Sequence, residues 1–165
     1  MTVKDAQINA NYESGINRLV LEQDRIKLPK LVENIKSNPN YMMIDSGWSS
    51  SWNEITKSRL IESLLINVPV MSIILFEKSY NSHEVIDGKE RLKTIVDFYS
   101  DRLILTGLEI ETDLEGYTYS ALPARLKDRL NDYSLNLVNC IPANNNQSEL
   151  EIKKLIGAVK ERYTR

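Results

Sequence analysis

The stretch Val70–Tyr99, VMSIILFEKSYNSHEVIDGKERLKTIVDFY, predicts a strand, a turn, a second strand, a tight Asp-Gly corner and a helix. Val70–Phe76 is apolar and rich in β-branched residues, a composition typical of a buried strand. The turn formers of Lys78–Ser82 interrupt it, and His83–Ile86 resumes an extended pattern. Beyond the corner, apolar residues recur at the spacing of one helix face, namely Leu92, Ile95, Val96 and Tyr99.

The corner Asp87–Arg91 lies where a strand ends and a helix begins, so the backbone N–H groups of the first helical turn point outward. Two cations, Lys89 and Arg91, lie in or beside this turn and oppose the helix dipole by about 0.3–1 kcal/mol each. A bound anion would turn this unfavourable arrangement into a binding site. The alternative is structural: Asp87 caps the helix, Gly88 supplies a left-handed turn, and the basic side chains reach solvent.

The composition is that of a globular protein. With 165 residues, 42% of them hydrophobic and 27% charged, the chain suits a single domain over residues 1–165. The net charge of −2 gives no overall attraction to nucleic acid, so a DNA contact would need a local basic patch. Cys140 is the only cysteine, which excludes an internal disulfide. Because neither a signal peptide nor a membrane-spanning run is evident, we expect a cytoplasmic protein without a membrane partner.

Several kinds of chemistry are excluded by what the sequence lacks. His83 is the only histidine, so one chain cannot form a multi-histidine metal site. The sequence has neither a P-loop motif nor the Gly-x-Ser-x-Gly elbow of a serine hydrolase. A mechanism would therefore rest on carboxylates, arginine, lysine and amide groups, with or without a hard cation.

Outside the central stretch, short strands alternate with amphipathic helices, which predicts an α/β (α+β) fold with a small mixed sheet flanked by helices. Residues 1–25 are polar and only weakly periodic. Helices are expected from Leu28, from Trp52, from Pro123 and from Ser148. Strands are expected over residues 41–44, 102–111, 117–119 and 134–141.

The helix that follows Trp52 has a polar side, which we interpret as a solvated face. Its residues are Lys57, Ser58, Arg59, Glu62 and Ser63. Ser51 and Glu54 have the spacing of a capping box at the start of this helix. Ser148 and Glu151 have the same spacing at the start of the last helix.

Three segments, read together, resemble a known family: KSRLIESLL at 57–65, NVP at 67–69 and IDGKERL at 86–92. They are similar to the DGQQR-motif domain in the N-terminal half of GmrSD-type modification-dependent restriction proteins and related phage-defence proteins. The resemblance runs from about residue 52 to residue 139. It includes residues 103–108 and the Gly116…Leu122-Pro123 segment, which are similar to the family's "L.GL…G…LP" stretch. The two glutamines of the family motif are Lys89 and Glu90 in this chain.

The resemblance implies a fold related to the ParB N-terminal domain and to sulfiredoxin, in which a Gly-x-x-Arg-type corner binds nucleotide phosphates. It therefore implies that this chain binds a nucleoside triphosphate. The residues expected to bind it are Gly88, Lys89 and Arg91 at the corner, with Trp52 and Arg59 as further contacts.

The hypothesis of a nucleotide-binding module gives two carboxylates a catalytic part. Asp87 would coordinate Mg²⁺ or orient a water molecule, and Glu90 would assist it, in a weak Mg²⁺-dependent NTPase. Because the resemblance covers only the N-terminal half of the restriction proteins, we expect no nuclease activity from this chain alone.

Two functional hypotheses remain open. The first is a stand-alone nucleotide- or phosphate-binding module of a phage-defence or DNA-transaction system, working with DNA or with a protein that supplies nuclease function. In that case Arg91 lacks a structural counter-ion in the unliganded protein. The second is a catalytically degenerate relative that acts through protein interaction or regulation, including self-association. Arg91 would then be paired with Glu62 or Asp87, and DNA binding would use the basic last helix (Lys153, Lys154, Lys160, Arg162 and Arg165).

Overall fold

The computed structural model describes residues 1–44 and 47–163, and Arg165 of the basic last helix lies outside these ranges. The described strands are β1 (Leu19–Lys27), β2 (Ile73–Ser79), β3 (Ser82–Asp87) and β4 (Ser134–Pro142). The described α-helices are α1 (Val3–Ser14), α2 (Leu28–Ser37), α3 (Glu54–Leu65), α4 (Lys89–Tyr99), α5 (Ala124–Asn131) and α6 (Glu149–Tyr163). A 3-10 turn spans Thr112–Leu114.

The four strands form one mixed sheet in the order β1-β4-β2-β3. The two inner strands, β4 and β2, run parallel, and each outer strand is antiparallel to its inner neighbour. Two antiparallel pairs are thus joined through a parallel centre. The prediction of an α/β fold with a small mixed sheet is confirmed.

Apolar side chains cover both faces of this sheet. On one face, helices α2 to α5 contribute to a large cluster around Leu31, Ile61, Ile95 and Leu137. On the other face, Ile156 of α6 belongs to a smaller cluster with strand residues including Phe76. The buried Glu84 of β3 pairs with Lys160 of α6 and with Lys78, at 3.1 Å for the latter. An ion pair therefore accompanies the apolar contact that holds α6 on the sheet.

Several local predictions are confirmed. Helix α2 begins at Leu28 with a proline in its first turn, and α5 follows Pro123. The capping box before α6 is present: the Glu151 N–H donates to Ser148 Oγ over 3.2 Å, and the Ser148 N–H donates to the Glu151 carboxylate over 2.9 Å. The periodic apolar pattern predicted these helices because each helix buries one apolar face.

Other local predictions are wrong. Residues 1–25 contain helix α1 and most of strand β1, which the polar pattern did not indicate. Residues 102–111 and 117–119 are not strands but irregular chain, in which the N–H of Leu105 donates to the carbonyl of Tyr117. Residues 41–44 contribute an isolated bridge between Met43 and Glu84.

No helix in the described ranges combines the length and apolar character that crossing a membrane requires.

Candidate functional site

The corner between β3 and α4 has the geometry that only glycine accommodates well. Gly88 is the N-cap residue of α4 and has φ +107°, in the left-handed region. A β-carbon at this position would lie 2.4 Å from Cδ1 of Ile73 and 3.1 Å from Nη2 of Arg91. Since glycine has no side chain, no side-chain group caps the helix. The expectation that Asp87 caps α4 is wrong, because Gly88 occupies that position.

Arg91 lies across this corner, and its guanidinium is fixed from two sides. Its Nη2 donates to Asp87 Oδ2 over 3.2 Å and to the carbonyl oxygen of Ser72 over 3.1 Å. The Arg91 side chain is 14% exposed and that of Asp87 is 33% exposed. The Nε atom of Arg91 is buried without a hydrogen-bond partner. The expectation that came with the phosphate-binding hypothesis, an Arg91 without a structural counter-ion, is wrong, because Asp87 is its counter-ion.

Glu90 faces away from Arg91 and binds the segment that precedes α3. Its carboxylate accepts hydrogen bonds from Ser50 Oγ at 2.6 Å, from the Ser51 N–H at 2.6 Å and from Ser51 Oγ at 3.0 Å. Burial raises the pKa of Glu90, but these donors outweigh it and hold the pKa below its usual range. The carboxylate is therefore ionised at neutral pH and saturated with donors.

The start of α3 differs from the predicted capping box because Ser51 is used by Glu90. The N-cap of α3 is Asn53, whose side chain accepts the N–H of Thr56 over 2.8 Å. The helix thus begins directly beside the first turn of α4, and Glu90 connects the two helix starts.

The remaining predicted contacts occupy different surroundings. Lys89 is half-buried in the first turn of α4. The Trp52 side chain is half-buried and packs against the larger apolar cluster. Arg59 binds residues 102–111, the irregular segment that follows α4. Its Nε donates to the carbonyl of Gly107 and its Nη1 pairs with Glu109, both at 3.0 Å. The structure therefore brings Asp87, Gly88, Lys89, Glu90 and Arg91 together, and it engages Arg59 elsewhere.

Two residues of α3 contradict the prediction of a solvated face. Ser58 is fully buried; its hydroxyl donates to the carbonyl of Glu54 over 2.7 Å and accepts the N–H of Thr106 over 3.0 Å. Glu62 is only 5% exposed. Ser58 and Glu62 are one helical turn apart, so the sequence indicated that they share a face of α3. It did not indicate that this face is buried.

The Glu62 carboxylate accepts three successive backbone N–H groups. They belong to Glu109 at 3.3 Å, Ile110 at 2.7 Å and Glu111 at 2.8 Å. Burial raises the pKa of Glu62, but these hydrogen bonds, helped by the charge of Arg59, hold it below its usual range. Glu62 thus anchors the irregular segment that follows α4.

A cavity of about 410 Å³ lies at the same end of the sheet as the corner. Its lining includes Ser72, whose carbonyl accepts the Arg91 guanidinium. The other lining residues are Gln23, Asp24, Arg25, Asn136, Leu137 and Val138. The sheet order explains this placement. The end of β1, the start of β4, the start of β2 and the end of β3 all lie at this end of the sheet.

Metal-ligating side chains do not form a cluster in the described ranges. Residues 1–44 and 47–163 contain no group of three or more His, Cys, Asp or Glu side chains that could hold a metal ion. Magnesium in nucleotide sites is usually held by one or two carboxylates together with phosphate oxygens and water, so it does not need such a group. Of the two carboxylates at the corner, Asp87 is one-third exposed, while Glu90 is engaged by donors of Ser50 and Ser51.

The strands, helices and corner together define a small α/β domain with a glycine-capped helix start. A family model described as the GmrSD restriction endonuclease, N-terminal domain, matches residues 49–164. Since this match covers well over half of the chain, the chain belongs to that family, and with it to the restriction-related proteins of phage defence. No curated protein and no solved structure matches the chain.

Proposed function

We propose that this chain is a nucleotide-binding module of a phage-defence system and that it holds phosphate at the corner Asp87–Arg91. The observation that supports this most directly is the Arg91 guanidinium, which Asp87 and Ser72 hold against the N-terminal end of α4. Gly88 is buried and has no side chain, so no side-chain group caps the first turn of α4. A phosphate oxygen there would meet backbone N–H groups and a positioned cation together.

The electrostatics of the corner favour an additional anion. A cation at a helix N-terminus costs about 0.3–1 kcal/mol, and the corner carries both Lys89 and Arg91. Asp87 compensates Arg91 in part, and its side chain stays one-third exposed. The Glu90 carboxylate accepts hydrogen bonds from Ser50 and Ser51, on the segment that precedes α3. Phosphate binding would therefore lower the electrostatic cost that the first turn of α4 carries.

The neighbouring cavity supports a nucleotide over free phosphate as the ligand. Its volume of about 410 Å³ falls within the range of small-molecule sites, about 300–1,000 Å³. Gln23 and Asn136 offer amide donors and acceptors of the kind that bind base edges, and Arg25 offers a planar cation. Ser72 belongs to the cavity wall and to the Arg91 contact, so the two regions adjoin.

We propose that any hydrolysis of the bound nucleotide is weak and depends on Mg²⁺. Asp87 is the residue that would share a magnesium ion with the phosphates, since it is exposed enough to reach solvent. We assign Glu90 to the organisation of the site and not to the reaction, because its oxygens already accept several donors.

Isothermal titration tests the binding proposal. The protein is titrated with ATP, GTP, CTP and UTP, each with and without Mg²⁺, and separately with inorganic phosphate. We expect saturable binding of at least one nucleotide in the micromolar range and weaker binding of phosphate. The variant Arg125→Ala serves as a control, since it removes an exposed arginine of α5 and not one of the corner. The absence of heat for every nucleotide at millimolar concentration would contradict the proposal.

A role in protein interaction is the second candidate, and the N-terminal region favours it. Helix α1 contains no buried residue, and it exposes Val3, Ile8 and Tyr12. Strand β1 is the outer strand of the sheet and exposes Val20 and Leu21. Exposed apolar groups next to an unpaired strand edge are typical of contact surfaces. Analytical ultracentrifugation at 5–200 µM tests self-association: a concentration-dependent dimer would support this candidate, and a monomer throughout would contradict it for the chain alone.

A further inference from the structure

We propose that Glu90 is a positioning residue: its carboxylate clasps the Ser50–Trp52 segment onto the first turn of α4, and this closure is required for tight nucleotide binding at the corner. The second half of this inference rests on the proposed function. The first half concerns the molecule without any ligand.

The number and variety of donors support the clasp. Two hydroxyl groups and one backbone N–H group from two consecutive residues converge on one carboxylate, with the shortest contacts at 2.6 Å. Hydrogen bonds to an ionised carboxylate are stronger than neutral ones. Both carboxylate oxygens accept, and a glutamine at position 90 cannot replace them because it has a single acceptor oxygen and turns its amide hydrogens toward donors.

The position of the clasp gives it a consequence for the site. Glu90 is adjacent to Arg91 in the first turn of α4, and its partners lead directly into the start of α3 at Asn53. The clasp thus links the starts of two helices and fixes the segment that carries Trp52. Without it, the segment beside the corner would lose its attachment to α4, and a ligand would have to order it at an entropic cost.

The central test compares Glu90→Gln with Glu54→Gln. Both replace a glutamate in the first turn of a helix by its neutral isostere, but the Glu54 side chain is 60% exposed and pairs with Lys57 on its own helix. Amide hydrogen exchange by NMR reports on the clasp without ligand. We expect the amides of Ser51 and Trp52 to exchange at least tenfold faster in Glu90→Gln and at an unchanged rate in Glu54→Gln. Unchanged exchange in a folded Glu90→Gln would overturn the clasp.

Titration with ATP and Mg²⁺ reports on the positioning role. We expect Glu90→Gln to bind ATP at least tenfold more weakly and Glu54→Gln to bind it like the original chain. Equal or tighter binding by Glu90→Gln, despite faster exchange, would overturn the positioning role. If the original chain binds no nucleotide, the proposed function and the positioning role both fail, while the exchange measurement still decides the clasp.

A second variant guards against loss of folding in Glu90→Gln. The double replacement Ser50→Ala and Ser51→Ala removes two donors from the surface and leaves the Glu90 charge in place. We expect a smaller effect of the same kind, with exchange of the Trp52 amide about threefold faster and ATP binding about threefold weaker. No change in amide exchange would count against the clasp, and no change in ATP binding would count against the positioning role.

Discussion

The Glu62 carboxylate accepts the backbone N–H of Ile110 over 2.7 Å, although 48 positions separate the two residues in the chain. The same carboxylate accepts the N–H groups on either side of Ile110. A buried acid on α3 therefore does for the irregular segment what a neighbouring strand does in a sheet: it satisfies successive backbone donors. The irregular segment depends on one side chain for its place in the fold.

Replacing Glu62 by Ala should destabilise the protein by about 3 kcal/mol, because the loss of a charged acceptor leaves buried donors without partners. Urea unfolding of the original and variant chains gives the difference. The control is Glu54→Ala on the same helix, whose exposed pair with Lys57 should be worth less than about 0.5 kcal/mol. A loss below about 1 kcal/mol for Glu62→Ala would show that the segment finds other acceptors.

Acidification should remove the stability that Glu62 and Glu90 provide. Both carboxyl pKa values lie below the usual 4.5 in the folded chain. A group with a depressed pKa stabilises the fold fully above its unfolded pKa, and this contribution is lost as the pH falls through the folded pKa. The unfolding free energy should therefore decline below about pH 4.5, and Glu62→Gln should decline less steeply between pH 5 and pH 3. Parallel curves for the two proteins would contradict the assignment.

Replacing Gly88 by Ala should cost more than the left-handed backbone alone explains. Gly116 provides the matched comparison, since its φ is +82° but no atom lies within 4 Å of an added β-carbon. We expect about 1 kcal/mol for Gly116→Ala from the backbone and at least about 2 kcal/mol for Gly88→Ala, where the β-carbon meets Ile73. Thermal unfolding measures both, and equal losses would show that Ile73 moves aside without cost.

Replacing Arg91 by Ala should weaken nucleotide binding by about 1.5–3 kcal/mol, the value of a charge-assisted hydrogen bond. The unliganded variant should lose about 1–2 kcal/mol of stability, because Asp87 and the Ser72 carbonyl lose their donor while the helix dipole is relieved. Calorimetric melting and titration of one preparation give both values. Arg91→Lys should keep the charge without the planar fork and recover binding only in part. A destabilised variant that binds nucleotide normally would assign Arg91 to structure alone.

Replacing Asp87 by Asn should abolish any Mg²⁺-dependent phosphate release, because asparagine lacks the charge that shares the metal with phosphate. Asparagine retains a carbonyl oxygen for Arg91, so stability should change by less than about 1.5 kcal/mol. A colorimetric phosphate assay measures turnover, with Asp113→Asn as the control at a distant 3-10 turn. Turnover that survives in Asp87→Asn would place the activity at other residues.

The corner could be predicted from the sequence because its determinants are local. A run of β-branched residues, a Gly at the strand end and an apolar period of 3.6 predict β2, Gly88 and α4 within one stretch. The family resemblance adds the expectation of phosphate binding there. The pairing of Arg91 with Asp87 is one of the alternatives that the sequence leaves open, and the structure selects it.

The roles of Glu62 and Glu90 could not be read from the sequence, because their partners are distant in the chain. Glu62 binds a segment 47 to 49 positions away, and Glu90 binds Ser50 and Ser51 from 40 and 39 positions away. From the sequence, Glu62 is interpreted as part of a solvated face and Glu90 as a catalytic partner of Asp87. Strand β1 escaped prediction for a related reason: as an outer strand it is exposed over most of its length and lacks a one-sided apolar pattern.

The sheet order also dictates when the protein can fold. Strand β4 lies between β1 and β2, yet it is the last strand in the chain. The first residue of β1, Leu19, pairs with the last residue of β4, Pro142. During synthesis the β2–β3 hairpin can form early, whereas β1 must wait for more than 100 residues to emerge before its only neighbour exists. Until then, the exposed edge of β1 is open to other nascent chains, and assistance from a chaperone would matter most in this interval.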